Sequence, residues 1–390
     1  MNRPEPSLSL SGERFTAVYR LCGAAAEVEA RARAICLEQT VEFPQALIPN
    51  EAIRDQIVGQ IAAIIPRALD DGSDGFEVAI RYPIESAGRE LTQLLNVLFG
   101  NVALQPGVRL QRIDLPPSLL QHYPGPRFGI AGLRQRLGVR ERPLLCTALK
   151  PMGLSPTELA ELAYQLALGG IDLIKDDHGL SDQPFCPFDE RASRCAEAVA
   201  RANRETGHAS LYLPNVTAPA DEVAVRAQRA RALGAGGLLV CPGLTGLDAM
   251  RALADDEALA LPILSHPALL GGLSLGPHQG LAHGLLFGTL ARLAGADATI
   301  FPSHGGRFAF TATECREIAT AACAPLPGLA PIWPVPAGGM HLQQIPELVR
   351  FYGRDSMLLI GGDLHAGPDL RARCQAFRSL AAQACEQHTE

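Results

Sequence analysis

From residue 143 onward the chain repeats one arrangement of positions: a short apolar run bounded by Gly, Pro or Asp, a polar or Gly-rich junction, then a helical pattern. Eight such runs read as strands: "PLLCTALKP" (143–151), "IDLIKDD" (171–177), "SLYLPNVT" (210–217), "GLLVCP" (237–242), "PILSHP" (262–267), "ATIFPS" (298–303), "PIWPVPAGG" (331–339) and "SMLLIGGD" (356–363). Runs this short and this uniformly apolar suit a parallel sheet covered on both faces. Between them, segments such as "SPTELAELAYQLALGG" and "DEVAVRAQRARALGA" carry Ser or Asp near the start and Gly towards the end, as helices do. Eight consecutive βα units over about 250 residues predict a (β/α)8 TIM barrel rather than an open doubly wound sheet.

The first 125 residues read differently. "ERFTAVYRLCG", "FEVAIRYPI" and "VRLQRIDLP" have strand character, and "AAEVEARARAICLEQ" and "SAGRELTQLLNVLFG" helical character. They predict a small α+β domain of ferredoxin-like kind over residues 1–125, joined through "YPGPRFG" (123–129) to a barrel over 126–390.

Composition removes several function classes. With 390 residues, 47% of them hydrophobic and 19% charged, the chain can bury a large core. A net charge of −7, with Lys and Arg scattered singly, offers no basic patch for nucleic acid or anionic lipid. The ten cysteines form no CxxC pair, and several sit in apolar runs, so they read as reduced core residues of a cytoplasmic protein. The opening "MNRPEPSLSLSGERF" has no apolar signal core, and no apolar stretch reaches the roughly 18 residues that a membrane span needs.

The strand ends carry the functional argument, because a barrel builds its active site at the C-terminal ends of its strands. Side chains alternate along a strand, which puts Ile171, Leu173, Lys175 and Asp177 on one face, apolar below and charged at the mouth. Lys150 closes the first strand, Asn215 the third and His266 the fifth. Each has an ordinary structural explanation, such as an ion pair or a satisfied core histidine; their convergence on one mouth favours function. "AGG" (337–339) and "GGD" (361–363) follow strands seven and eight, where barrels commonly bind phosphate through backbone N–H groups. "SHGGRF" (303–308) adds a flexible loop with Arg307, a bidentate donor able to close on an anion.

These residues resemble the large subunit of ribulose bisphosphate carboxylase, and more closely the form IV, or RuBisCO-like, proteins that share its fold without fixing carbon. The resemblance rests on "CTALKPMGLSP", "GGIDLIKDDHGL", "LYLPNVTA", "PILSHPALLGG", "PVPAGGMH" and "LLIGGDLHAGP". It implies that Lys150 handles a proton and that Lys175 becomes a CO2-derived carbamate holding Mg2+ together with Asp177. His178 stands where the family's metal-binding Glu is expected, which makes Mn2+ or another transition metal an alternative to Mg2+. It further implies active-site roles for His266 and for Glu38, with Asn101 and Asn215 near substrate. Gly338, Gly339, Gly361, Gly362 and Arg307 would take one phosphate. The resemblance also implies a homodimer, with sites completed by the partner's N-terminal domain.

The departures reject carboxylation: Met152, Pro267 and Ala337 replace a lysine, an arginine and a serine, so the second phosphate site lacks its donors. Methionine-salvage enolases, which act on 2,3-diketo-5-methylthiopentyl 1-phosphate, place a base lysine where this chain has Asn101. The first expectation is therefore decarboxylation or related cleavage of a phosphorylated β-keto sugar acid. An enolase or isomerase acting on a phosphorylated ketose, with Lys150 or His178 as base, is the alternative. A third reading is a phosphometabolite-binding protein without catalysis.

Overall fold

The computed structural model describes residues 8–68, 72 and 74–387, so the first seven residues of the opening segment read above for a signal lie outside the described residues. The described chain forms two compact units. One runs to Tyr123 and includes Leu270–Leu286; the other holds Pro124–Leu269 and continues from Phe287.

The first unit is built on an antiparallel sheet of β1 (Arg14–Cys22), β2 (Gln60–Pro66), β3 (Gly75–Pro83) and β4 (Val108–Asp114). The strand order is β4-β1-β3-β2, with a two-residue strand, Gly280–Leu281, pairing in parallel on the outer side of β4. β1 alternates in burial and supplies Phe15, Ala17, Tyr19 and Leu21 to the core. The helices expected here form over Ala25–Glu38 and Leu91–Phe99. The segment Leu270–Leu286, expected within the barrel, belongs to this unit. Arg109 on β4 holds it by donating to the carbonyls of Ser274 and Gln279, each at 3.1 Å.

The second unit contains the eight expected strands: β5 (Leu144–Leu149), β6 (Leu173–Asp176), β7 (Leu211–Leu213), β8 (Leu238–Val240), β9 (Ile263–Ser265), β11 (Ala298–Pro302), β12 (Trp333–Ala337) and β13 (Met357–Leu359), the Gly280–Leu281 strand being β10. They pair in parallel as β13-β5-β6-β7 and β8-β9-β11-β12, and an Asn215–Leu239 bridge links the two runs. All eight contribute to one interior cluster, including Cys146, Leu173, Leu213, Leu239, Leu264, Ile300, Val335 and Leu359, as a filled (β/α)8 barrel requires. Leu133 and Leu137 of the helix Gly129–Leu137 plug its floor. A second apolar layer lies between the strands and helices Pro156–Leu168, Phe188–Thr206, Ile345–Tyr352 and Leu370–Glu386. Capping boxes of Ser155 with Glu158 and Thr311 with Glu314 start the helices Pro156–Leu168 and Ala312–Cys323.

Candidate active site

Because the eight strands run parallel, their C-terminal ends share one rim, and the residues following β5, β6 and β9 meet there. Lys150 Nζ lies 2.8 Å from Asp177 Oδ1, and His178 Nδ1 lies 3.5 Å from the same oxygen. The rings of His178 and His266 stack with centroids 4.3 Å apart and planes 14° from parallel. Lys175 points inward above Leu173 and is 3% exposed; its Nζ donates to the carbonyl of Asp176 at 3.0 Å. Ile171 departs from the expected alternation. β6 begins at Leu173, and Ile171, two residues earlier, packs in the layer beneath the helices.

The electrostatics separate these groups. Burial lowers the Lys175 pKa, the neighbouring Cys146, Asp177 and Cys241 raising it and Lys150 lowering it further. Burial alone would raise Asp177, but hydrogen bonds from His178 and Lys150 and the charges of both lysines hold its carboxyl well below the usual carboxylate range. Burial, with the Lys175 charge next, pushes His266 down, so its imidazole is neutral. Its Nδ1 faces the Ala268 N–H at 3.2 Å, which leaves the ring proton on Nε2.

Of the charged run 175–178, Asp176 serves the fold. Its side chain is fully buried on the outer face of the strand, where it accepts from Arg191 Nε (3.0 Å), Tyr212 Oη (2.8 Å) and the Asn215 N–H (3.0 Å). Asn215, 1% exposed, donates its amide to the carbonyls of His178 (3.0 Å) and Leu180 (2.8 Å), fixing the loop that carries His178. Sequence reasoning missed Arg191. Its signal was a charged residue on the buried stripe Phe188, Arg191, Ala192, Cys195 of an otherwise amphipathic helix.

The glycines line two loops on the same rim. Gly338 and Gly339 have φ of +91° and +92°, which L side chains rarely adopt. The Ser303–Phe308 loop docks on them through Arg307 N–H to Gly338 O (3.0 Å), with Phe308 against Gly338 and the Arg307 guanidinium 4.9 Å above the Phe308 ring. A Cβ on Gly361 would come 4.0 Å from Lys150 Cε, which sets that loop beside the lysine stem. Gly362 has no left-handed φ, and a Cβ there would meet nothing within 4 Å. Neither backbone strain nor packing demands glycine at 362.

Glu38 and Asn101 belong to the first unit. The Asn101 amide donates to Glu38 Oε1 at 2.9 Å, and both line a cleft of about 640 Å³ with Gln39, Glu42 and Asn96. Gln39, also unforeseen, is buried; it donates to the Asn96 and Val97 carbonyls and accepts from Val102 N–H, holding the two ends of this pair in register. Pro267 follows His266, and the methyl of Ala337 is buried at the end of β12. Met152 packs its thioether against Gly179 beside Asp177.

Residues 129–308 match the ribulose bisphosphate carboxylase large chain, catalytic domain. The chain is 44% identical to ribulose bisphosphate carboxylase-like protein 1 of Rhodopseudomonas palustris, over 95% of this chain and 98% of that one. It is 42% identical to 5-methylthioribulose-1-phosphate isomerase of Rhodospirillum rubrum, over 95% of each, and 33% identical to 2,3-diketo-5-methylthiopentyl-1-phosphate enolase of Bacillus licheniformis, over 93% of this chain and 90% of that one. Among solved structures, the Rubisco-like protein from Rhodopseudomonas palustris superposes with a TM-score of 0.85 at 40% identity, covering 95% of this chain and 98% of that one. The rubisco-like protein from Alicyclobacillus acidocaldarius gives 0.87 at 32%, covering 96% and 95%. A (β/α)8 barrel with identity of this order along nearly its whole length assigns the chain to the RuBisCO-like branch of the ribulose bisphosphate carboxylase large-chain family, apart from the carboxylases themselves.

Proposed function

We propose that the chain is an isomerase that shifts a proton along the carbon skeleton of a phosphorylated ketose, with a 5-methylthioribulose 1-phosphate type of substrate. The observation that carries this reading is Lys150, whose amine sits 2.8 Å from Asp177 while its stem runs beside Gly361. A proton-handling amine, its counter-charge and a glycine loop for an anion share one rim.

The glycine loops anchor the phosphate through backbone N–H groups and Arg307 closes over it. Lys150, once its amine is free, removes a proton from the carbon beside the carbonyl, and Asp177 stabilises the ammonium that this re-forms. The electron pair moves into an enediolate, whose oxygen accepts a hydrogen bond from His266 Nε2–H in this reading. Return of the proton to the neighbouring carbon gives the isomer, with no change of oxidation state overall. Asn215 acts on this site through the His178 loop that it holds.

Lys175 as its carbamate, Asp177 and His178 make a mixed oxygen and nitrogen donor set that fits a divalent cation. Among the described residues no group of three or more His, Cys, Asp and Glu side chains could hold a metal, so the set depends on Lys175. Burial lowers the Lys175 pKa, which eases release of the free amine that CO2 needs. The chemistry a bound cation supplies is Lewis-acid stabilisation of the developing oxyanion; Mg2+ is the first candidate and Mn2+ the next, because His178 offers nitrogen.

Two considerations favour isomerase over the other readings. The Asn101 amide, bonded to Glu38, cannot take up a proton, whereas a methionine-salvage enolase is expected to hold a lysine there. The relative carrying the isomerase name matches 95% of the chain. Decarboxylation of a β-keto sugar acid would share the enediolate, but no feature of the rim favours a carboxylate leaving group, and we set it second. The reading includes a cytoplasmic homodimer in which Glu38 and Asn101 serve the partner's rim. Comparing kcat/KM for the 1-phosphate with that for the unphosphorylated ketose and a bisphosphate tests it. A strong preference for the monophosphate is expected, and equal rates with and without phosphate would overturn it.

A further inference from the structure

Asp363, the residue after Gly362, fastens the two glycine loops to each other. One of its carboxylate oxygens accepts from His341 Nδ1 at 3.1 Å. The other accepts the Leu342 N–H at 3.0 Å and Arg373 Nη2 at 3.0 Å. Its backbone carbonyl takes two more bonds from Arg373, at 3.0 and 2.7 Å. His341 and Leu342 follow Gly338 and Gly339 by a few residues, and Arg373 stands on the C-terminal helix Leu370–Glu386. One carboxylate therefore joins the exits of both loops and pins them to a helix of the barrel.

A carboxylate beside an anion site needs a reason, since its charge opposes the ligand. Here Arg373 and His341 face it, and its side chain is only 13% exposed. What it supplies is fixed spacing. Backbone N–H groups from two separate loops grip one phosphate only if the loops keep their separation, and neither loop can do this alone, because Gly338, Gly339, Gly361 and Gly362 are the least restrained residues a chain can use.

We propose that Asp363 is a positioning residue for the substrate phosphate, locking the loops after β12 and β13 into a single anion cradle with His341 as the link. The proposal rests on the reading of the glycine loops as the phosphate site. Asp363→Asn keeps the shape but cannot accept on both sides, and His341→Ala removes one link while leaving Leu342 and Arg373 in place. The measurements are calorimetric titration of wild type and both variants with inorganic phosphate, together with KM and kcat for 5-methylthioribulose 1-phosphate and the thermal midpoint of each. Both variants should bind inorganic phosphate roughly tenfold more weakly, about the size of one charge-assisted hydrogen bond, and raise KM by a similar factor while kcat changes much less. If Asp363→Asn does not fold, His341→Ala carries the test. Wild-type phosphate binding with unchanged affinity in the variants would overturn the role of Asp363 alone, as would a loss confined to kcat. Absence of inorganic phosphate binding to wild type would remove the cradle itself, and the proposal with it.

Discussion

At the residue scale, the run Lys175 to His178 divides by side-chain direction. Lys175 and Asp177 face the barrel and the mouth, and Asp176 faces the helices, where Arg191 and Tyr212 hold it. The rim residues can thus be removed without touching the apolar layers below. Lys175→Ala and Asp177→Ala should each abolish turnover while the thermal midpoint stays within a few degrees of wild type. A Lys175→Ala chain with full activity, and no response to added CO2, would remove the carbamate. His178→Glu separates two roles for that side chain. Tighter Mg2+ binding with activity kept would mark position 178 as a ligand, and unchanged binding with lost turnover would mark His178 as an acid or base. The sequence showed which residue types gather at the mouth, because alternation along a strand is fixed by geometry. It did not show that Asn215 spends its amide on loop carbonyls, since that depends on a loop whose path no periodicity encodes.

At the scale of elements, the eight barrel strands were legible because each is a buried apolar run between turn residues, and such runs have few other uses. Two parts of the first unit were not. β2, "QIAAIIP", has no alternation and is only partly buried along its length, so its pattern resembles neither a core strand nor an amphipathic one. Leu270–Leu286 joins the first unit through Arg109 and a two-residue pairing with β4, contacts far apart in sequence. The Asp176–Arg191 pair belongs to this scale, since it binds β6 to the helix Phe188–Thr206 with both side chains at 0% exposure. Asp176→Ala leaves a buried guanidinium without its carboxylate and should cost about 3–5 kcal/mol. Urea unfolding would read this as a large fall in midpoint, and a change under about 1 kcal/mol would show that the pair is dispensable.

At the scale of the whole molecule, the residues proposed for catalysis lie in two units of the chain, with Glu38 and Asn101 in the first and the lysine–histidine rim in the second. If the first unit serves a partner's rim, two inactive chains should repair one another. Mixing Glu38→Gln with Lys175→Ala under subunit exchange should restore about a quarter of wild-type activity, since half the dimers are mixed and each has one intact site. No recovery in dimers shown to have exchanged would place Glu38 outside the partner's site. The family was legible in the sequence because its motifs lie on strand ends in fixed order. The reaction was not, because decarboxylation and isomerisation share an enediolate and differ in whether CO2 or a proton leaves to form it.

That difference can be measured directly. The wild-type enzyme with Mg2+ and CO2 is incubated with 5-methylthioribulose 1-phosphate in deuterium oxide, and the product is followed by NMR. The account predicts a phosphorylated isomer carrying solvent deuterium at the former carbonyl carbon, absent with Lys150→Ala. No exchange and no isomer from this substrate, with CO2 released instead from a phosphorylated β-keto sugar acid, would contradict it.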